Sequence, residues 1–160
     1  MKKNYNQKPD YWDKAKKFLI SSDPIIKKVI QNVDNNQYLT SNSTPFQSLA
    51  NAIIGQQVSV AAASSMLKKL KLEINGYNPS KIKNASSLQL KKAGLSRQKI
   101  EYLKLLADSF CKNPKYFRNL KELDDQTVID KLVKLKGIGE WTAQMYLIFQ
   151  LNRPNVMPMA

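Results

Sequence analysis

Gly137, Ile138 and Gly139 interrupt an otherwise helical run, "LVKLKGIGEWTAQMYLIF", at residues 132–149. The chemistry this spacing permits is capture of an anion by the backbone. Gly137 can take positive φ at the end of the first helix at little steric cost. Gly139 stands where the second helix starts, so that helix's first backbone N–H groups have no helical partners. With the helix dipole behind them and no Cβ in front, those donors suit a phosphate oxygen. Ile138 between them can plug into the core and hold the turn, and Lys134 and Lys136 add positive charge beside it. Taken alone, Gly-x-Gly also fits an ordinary helix–helix turn closed by a glycine cap.

Almost every segment that must hold this turn reads helical. "YWDKAKKFLISSDPIIKKVIQNV" predicts two helices, with Asp23 capping the second and Pro24 starting it. A polar loop, "DNNQYLTSNST", follows. Thr44 and Pro45 start a helix with an apolar stripe of Phe46, Leu49, Ile53 and Ile54. Gly55-Gln56-Gln57 interrupts it, and Ser59 caps its continuation, "VAAASSMLKKLKL". "INGYNPSKIKNA" reads as a connecting loop. Ser86 with Gln89 resembles a capping box, and Gly94 ends that short helix. Ser96 caps "RQKIEYLKLLADSFCKN", whose Ile100, Leu103, Leu106, Ala107 and Phe110 share a face. "NPKYF" reads as a short turn, and Asp124 or Asp125 caps the helix before the glycines. With no strand pattern, no internal repeat and no low-complexity linker, the expected class is all-α with short connections.

The totals narrow the chemistry. The chain has 160 residues, 42% of them hydrophobic, enough for one domain or two small lobes. Lys plus Arg number 26 against 12 Asp plus Glu, a formal charge of +14 at pH 7. Such an excess points first to nucleic acid and second to an anionic membrane surface, although a lysine-rich proteome gives the same total. Cys111 is the only cysteine and there is no histidine. Disulfides, cysteine zinc sites and cysteine-ligated iron–sulfur clusters within the chain are excluded, as is Ser-His or Cys-His catalysis. The N-terminus, "MKKNYNQKPDYWDKAKKF", has no apolar core of signal-peptide length, and no stretch approaches a membrane span. The chain reads as soluble and intracellular.

Three segments, in order, carry a family resemblance. "LKGIGEWTA" resembles the hairpin of the helix-hairpin-helix DNA glycosylase superfamily (HhH-GPD), a clamp for the DNA backbone that does not read sequence. "PFQSLANAIIGQQVSVAAASSMLKKL" is similar to that family's Phe-x-x-Leu-x-x-x-Ile-x-x-Gln-Gln-x-Ser helix pair. "KKAGLSRQKIEYLKLLADSF" is similar to its Gly-Leu-Ser-x-x-Lys segment. The resemblance spans roughly residues 10–160 and is nearest the DNA-3-methyladenine glycosylase II subfamily.

The resemblance implies a two-lobed all-α fold, with residues 44–123 as the central lobe and residues 1–43 and 124–160 as the second. It implies an enzyme of base excision repair that flips a damaged base out of duplex DNA and hydrolyses its N-glycosidic bond. Alkylated purines such as 3-methyladenine are positively charged, so the leaving base needs little protonation. An anion near the developing oxocarbenium ion is needed instead. The family's aspartate aligns with the residue next after Ala160, and no acidic residue follows Glu140. No catalytic residue is therefore assigned within the chain. The expectation is a truncated form of a longer protein, lacking the family's C-terminal helix, with an inactive variant as the alternative.

Residue by residue, the resemblance implies more. Bifunctional endonuclease III-like members carry a lysine nucleophile at the position of Trp141, so a monofunctional enzyme is implied here. Trp141 would wall the pocket for an electron-poor base, or else pack the core. Met145 stands where relatives carry an aromatic pocket residue. Gln57 aligns with the side chain that fills the gap left by the extruded base, with Gln56 beside it facing DNA; capping of helix ends is the alternative for both. Ser96, Arg97 and Lys99 would add a phosphate contact, or form a plain capping site. The carbonyls of Val133, Leu135 and Gly137 match positions that hold a monovalent cation when DNA is bound. No other cofactor is expected.

The partner implied is double-stranded DNA containing damaged bases, met by a monomer, with no membrane partner, in the cytoplasm at the nucleoid or in a nucleus. A DNA-binding module without chemistry is the competing function.

Overall fold

A computed structural model describes residues 8–33 and 37–158. The basic start at residues 1–7 and residues 34–36 of the expected polar loop lie outside the described residues. Ten α-helices occur among the described residues: α1 (Trp12–Ser22), α2 (Pro24–Gln31), α3 (Pro45–Gly55), α4 (Val60–Glu73), α5 (Pro79–Asn84), α6 (Ser87–Lys92), α7 (Arg97–Lys112), α8 (Pro114–Arg118), α9 (Asp125–Leu132) and α10 (Glu140–Phe149). A 3-10 turn at Asn119–Glu122 links α8 to α9.

The helices begin where local chemistry starts them. The Asp23 carboxylate accepts from the backbone of Ile25 and Ile26 ahead of α2. Thr44 with Gln47, and Ser86 with Gln89, form complete capping boxes at α3 and α6. Ser59, Ser96 and Asp124 cap α4, α7 and α9. Two segments differ from the sequence reading. The expected loop at residues 74–85 contains α5, started by Asn78 and Pro79, and the expected turn at "NPKYF" forms α8. Each buries an apolar residue, Ile82 in α5 and Phe117 in α8, and that burial stabilises a helix too short to persist alone.

α3 is the axis of the core. Its Phe46, Leu49, Ala50, Ile53 and Ile54 are all buried, and it packs against α4, α7 and α10. From α7, Ile100, Leu103, Leu106 and Ala107 face it. Each fully buried leucine or isoleucine contributes roughly 1.5–3 kcal/mol over an exposed one. The cluster continues through Val128, Leu132, Ile138, Ala143 and Leu147, so α9 and α10 share one core with α3 and α7.

α1 and α2 pack on each other and bury no residue. Phe18, Ile25 and Val29 are exposed there, beside a shallow apolar groove of about 240 Å³. After α10, Gln150 is buried and donates to the Ser43 carbonyl, while Arg153 donates to the carbonyls of Lys121 and Leu123. Among the described residues no helix is long and apolar enough to cross a membrane.

Candidate functional site

α9 and α10 pack on each other and are joined through residues 133–139. The backbone N–H groups of Val133, Leu135 and Ile138 donate to the carbonyls of Ile129, Leu132 and Leu135, each at 3.0 Å, which tightens the turn. Gly137 has φ +87°, a conformation that disfavours any residue with a Cβ. Ile138 is buried, anchoring the loop in the core. Gly139 is the N-cap of α10 at φ −92°, ψ 176°, and no side chain caps that helix. A Cβ built on Gly139 meets nothing within 4 Å, so the start of α10 opens outward. Glu140 complements the dipole there, and its carboxylate accepts from Gln144.

Beside this terminus lies a cleft of about 730 Å³. The α3–α4 corner contributes Gln56 and Gln57, α7 contributes Ser96, Lys99 and Tyr102, and α10 contributes Trp141 and Met145. The three segments singled out in the sequence therefore meet at one place. Trp141 is 53% exposed, so its indole faces the cleft and does not fill the core. Gln57 is exposed at the tip of the corner with φ +55°, a conformation uncommon for a residue with a Cβ. No carboxylate is among the cleft's lining residues.

Several polar groups are already engaged by the protein. The Gln56 amide donates to the Gly137 carbonyl at 2.9 Å, joining the corner to the hairpin. The Lys99 ammonium donates to the Ile54 carbonyl at 2.7 Å, and partial burial lowers its pKa. The Ser96 hydroxyl accepts from Lys99 N as the cap of α7. Lys136 pairs with Glu101 at 2.6 Å. Hydrogen bonding and charge from Lys136 hold the Glu101 carboxyl below its ordinary pKa, and the same contact raises Lys136. Lys134 and Arg97 are exposed, and neither lines the cleft.

Tyr102 escaped the sequence reading. Its ring covers Gly137 so closely that a Cβ there would stand 2.6 Å from Tyr102 Cγ, and its hydroxyl accepts from Gln98 at 2.8 Å. The sole trace of this in the sequence is the glycine itself.

Residues 50–160 match the model of the family described as HhH-GPD superfamily base excision DNA repair protein. The chain belongs to this family. Among its relatives is DNA-3-methyladenine glycosylase 1 of Schizosaccharomyces pombe, 31% identical over 135 residues that cover 82% of this chain and 59% of the relative. The DNA-3-methyladenine glycosylase of Saccharomyces cerevisiae is 32% identical over 154 residues, covering 86% of this chain and 52% of that protein. A solved structure of a 3-methyladenine DNA glycosylase from Schizosaccharomyces pombe, in complex with abasic DNA, superposes with a TM-score of 0.75 at 28% identity. That superposition covers 90% of this chain and 73% of the other. The all-α HhH-GPD fold expected from the three motifs is thus the fold observed. This HhH-GPD chain spans 59% and 52% of the length of the two curated relatives.

Proposed function

We propose that this chain forms the DNA-gripping and base-receiving part of a monofunctional glycosylase that removes alkylated purines of the 3-methyladenine type. One observation carries the proposal: the exposed indole of Trp141 lines a cleft directly beside the uncapped, side-chain-free start of α10. The backbone N–H groups there would take a DNA phosphate, and the +14 charge would draw the duplex in. Gln57, at the tip of the corner, would occupy the space vacated by the extruded base. The base would then stack on Trp141, with Met145 as a soft neighbour. A methylated purine cation gains from an indole face what a neutral purine does not, which gives the pocket its preference.

The division into a 44–123 lobe and a lobe of residues 1–43 and 124–160 is part of this proposal, with the cleft at their junction. So is a monovalent cation on the carbonyls of Val133, Leu135 and Gly137. These are neutral, hard oxygen donors. The Leu135 carbonyl accepts once from Ile138 and the Gly137 carbonyl once from Gln56, which leaves each a lone pair. The site of action would be wherever the chromosome lies, at the nucleoid or in a nucleus.

Trp141 cannot form a Schiff base, so a lyase step through that position is not part of the proposal. Cleavage would need a carboxylate facing the sugar, and the described cleft presents none. Residues 1–160 are therefore expected to bind duplex DNA and release no base. A chimera that adds the remaining residues of the fission-yeast relative should release 3-methyladenine from methylated duplex. A folded chimera that binds DNA yet frees no base would end the enzymatic reading and favour a DNA-binding module without chemistry.

A further inference from the structure

We infer that Gln56 and Lys99 act as positioning residues that lock the α3–α4 corner to the hairpin, and that neither is a direct contact to the DNA backbone. The inference rests on the proposed function, since what the two would hold in register is Gln57 and Trp141.

Both residues look like DNA contacts in the sequence, being a polar amide and a cation at a helix start. In the structure each already gives an N–H to a protein carbonyl. Gln56 Nε2 donates to Gly137 O at 2.9 Å, and Lys99 Nζ donates to Ile54 O at 2.7 Å. Ile54 is in the last turn of α3, where carbonyls lose their helical partners and the dipole end is negative. An ammonium there satisfies an orphan acceptor and complements the dipole together. The Gly137 carbonyl belongs to a left-handed residue whose direction no helix fixes, and the Gln56 amide fixes it.

α7 closes the arrangement. It carries Lys99, which holds the corner, and Tyr102, whose ring lies over Gly137. Gln56 then joins corner to hairpin directly. Corner, hairpin and α7 are each tied to the other two, so the triangle cannot open at one side without losing a buried or half-buried contact. Gln57 follows Gln56 in sequence and Trp141 follows Gly139 by two residues. The group that would replace a base and the group that would receive it are thus held at a fixed separation. Partial burial also lowers the Lys99 pKa, as expected for an ammonium that has lost part of its hydration.

The test compares equilibrium binding of the chain to an intact duplex and to one carrying a tetrahydrofuran abasic-site analogue, across a series of salt concentrations. The wild type is expected to prefer the abasic duplex. Gln56→Met and Lys99→Met should each cut that preference about tenfold while leaving the salt dependence on intact DNA unchanged. Lys99→Arg, which keeps the donor, should restore the preference. Gln56→Glu, which keeps the shape but cannot donate, should fail like Gln56→Met and serves if either Met variant does not fold. Direct phosphate contact predicts the opposite pattern: Lys99→Met would weaken both duplexes equally and lower the salt slope by about one. That pattern, or an unchanged preference in all variants, overturns the inference while the proposed function stands. A wild type without salt-dependent binding to either duplex overturns both.

Discussion

The ring of Tyr102 lies where Gly137 would carry a Cβ. A Cβ built at that glycine falls 2.6 Å from Tyr102 Cγ and 3.0 Å from Tyr102 Cβ, and the backbone there has φ +87°. Glycine is thus required twice at this position, once by the turn and once by α7. Gly139 carries neither requirement, with φ −92° and open space around it. The two glycines of one short motif differ: the first is demanded by the fold, and the second is left in open space where the proposed phosphate would sit.

Gly137→Ala should therefore destabilise the fold by more than about 2 kcal/mol, combining left-handed strain with displacement of Tyr102. Gly139→Ala should cost at most about 1 kcal/mol, the scale of N-cap preferences. Denaturant unfolding of the two variants checks the contrast, and equal losses would contradict the separate roles.

Trp141→Ala tests the pocket apart from the fold. With 53% of its surface exposed, the indole contributes little to the core, and the melting temperature should barely move. Binding to a duplex carrying a stable 3-deaza analogue of 3-methyladenine should weaken by roughly 1–3 kcal/mol, the worth of one base–aromatic stack. Binding to intact duplex should change far less. A large loss of stability with no loss of preference would return Trp141 to a core role.

The Glu101–Lys136 pair gives a pH-dependent signature. The lowered Glu101 pKa means that its contribution to stability is present above the ordinary glutamate pKa and lost as pH falls through the depressed value. The raised Lys136 pKa means that its contribution is present below the ordinary lysine pKa and lost as pH rises through the raised value. At neutral pH both are charged and Glu101 masks a cation beside the hairpin. Glu101→Gln should tighten duplex binding a few-fold at low salt, and NMR titration of the Glu101 carboxyl should return to the ordinary range in Lys136→Ala. Unchanged affinity in Glu101→Gln would remove Lys136 from the DNA-facing surface.

What the sequence made legible follows the range of the interactions. Caps at Asp23, Thr44, Ser59, Ser86, Ser96 and Asp124 were readable because each bonds a backbone N–H two or three residues on. The left-handed turn at Gly137 and the anchoring of Ile138 were readable for the same reason. α5 stays hidden in the sequence although Asn78 and Pro79 mark its start, because six residues are too few to display a helical stripe. The contacts that set the site were invisible. Gln56 to Gly137 spans 81 residues and Lys99 to Ile54 spans 45, and neither donor has a signature that separates a protein carbonyl from a phosphate. Tyr102 was missed because an aromatic on a helix face carries no mark of the glycine it will cover.

The proposed grip of the start of α10 on the sugar–phosphate strand is tested most directly by titrating the chain and its Gly139→Asp variant with duplex DNA over a range of salt. The logarithm of the wild-type association constant should fall linearly with the logarithm of salt. Gly139→Asp, which sets a carboxylate where the phosphate would sit, should bind about tenfold more weakly or worse with its melting temperature unchanged. Equal affinity of a folded Gly139→Asp variant, or binding that ignores salt, would contradict it.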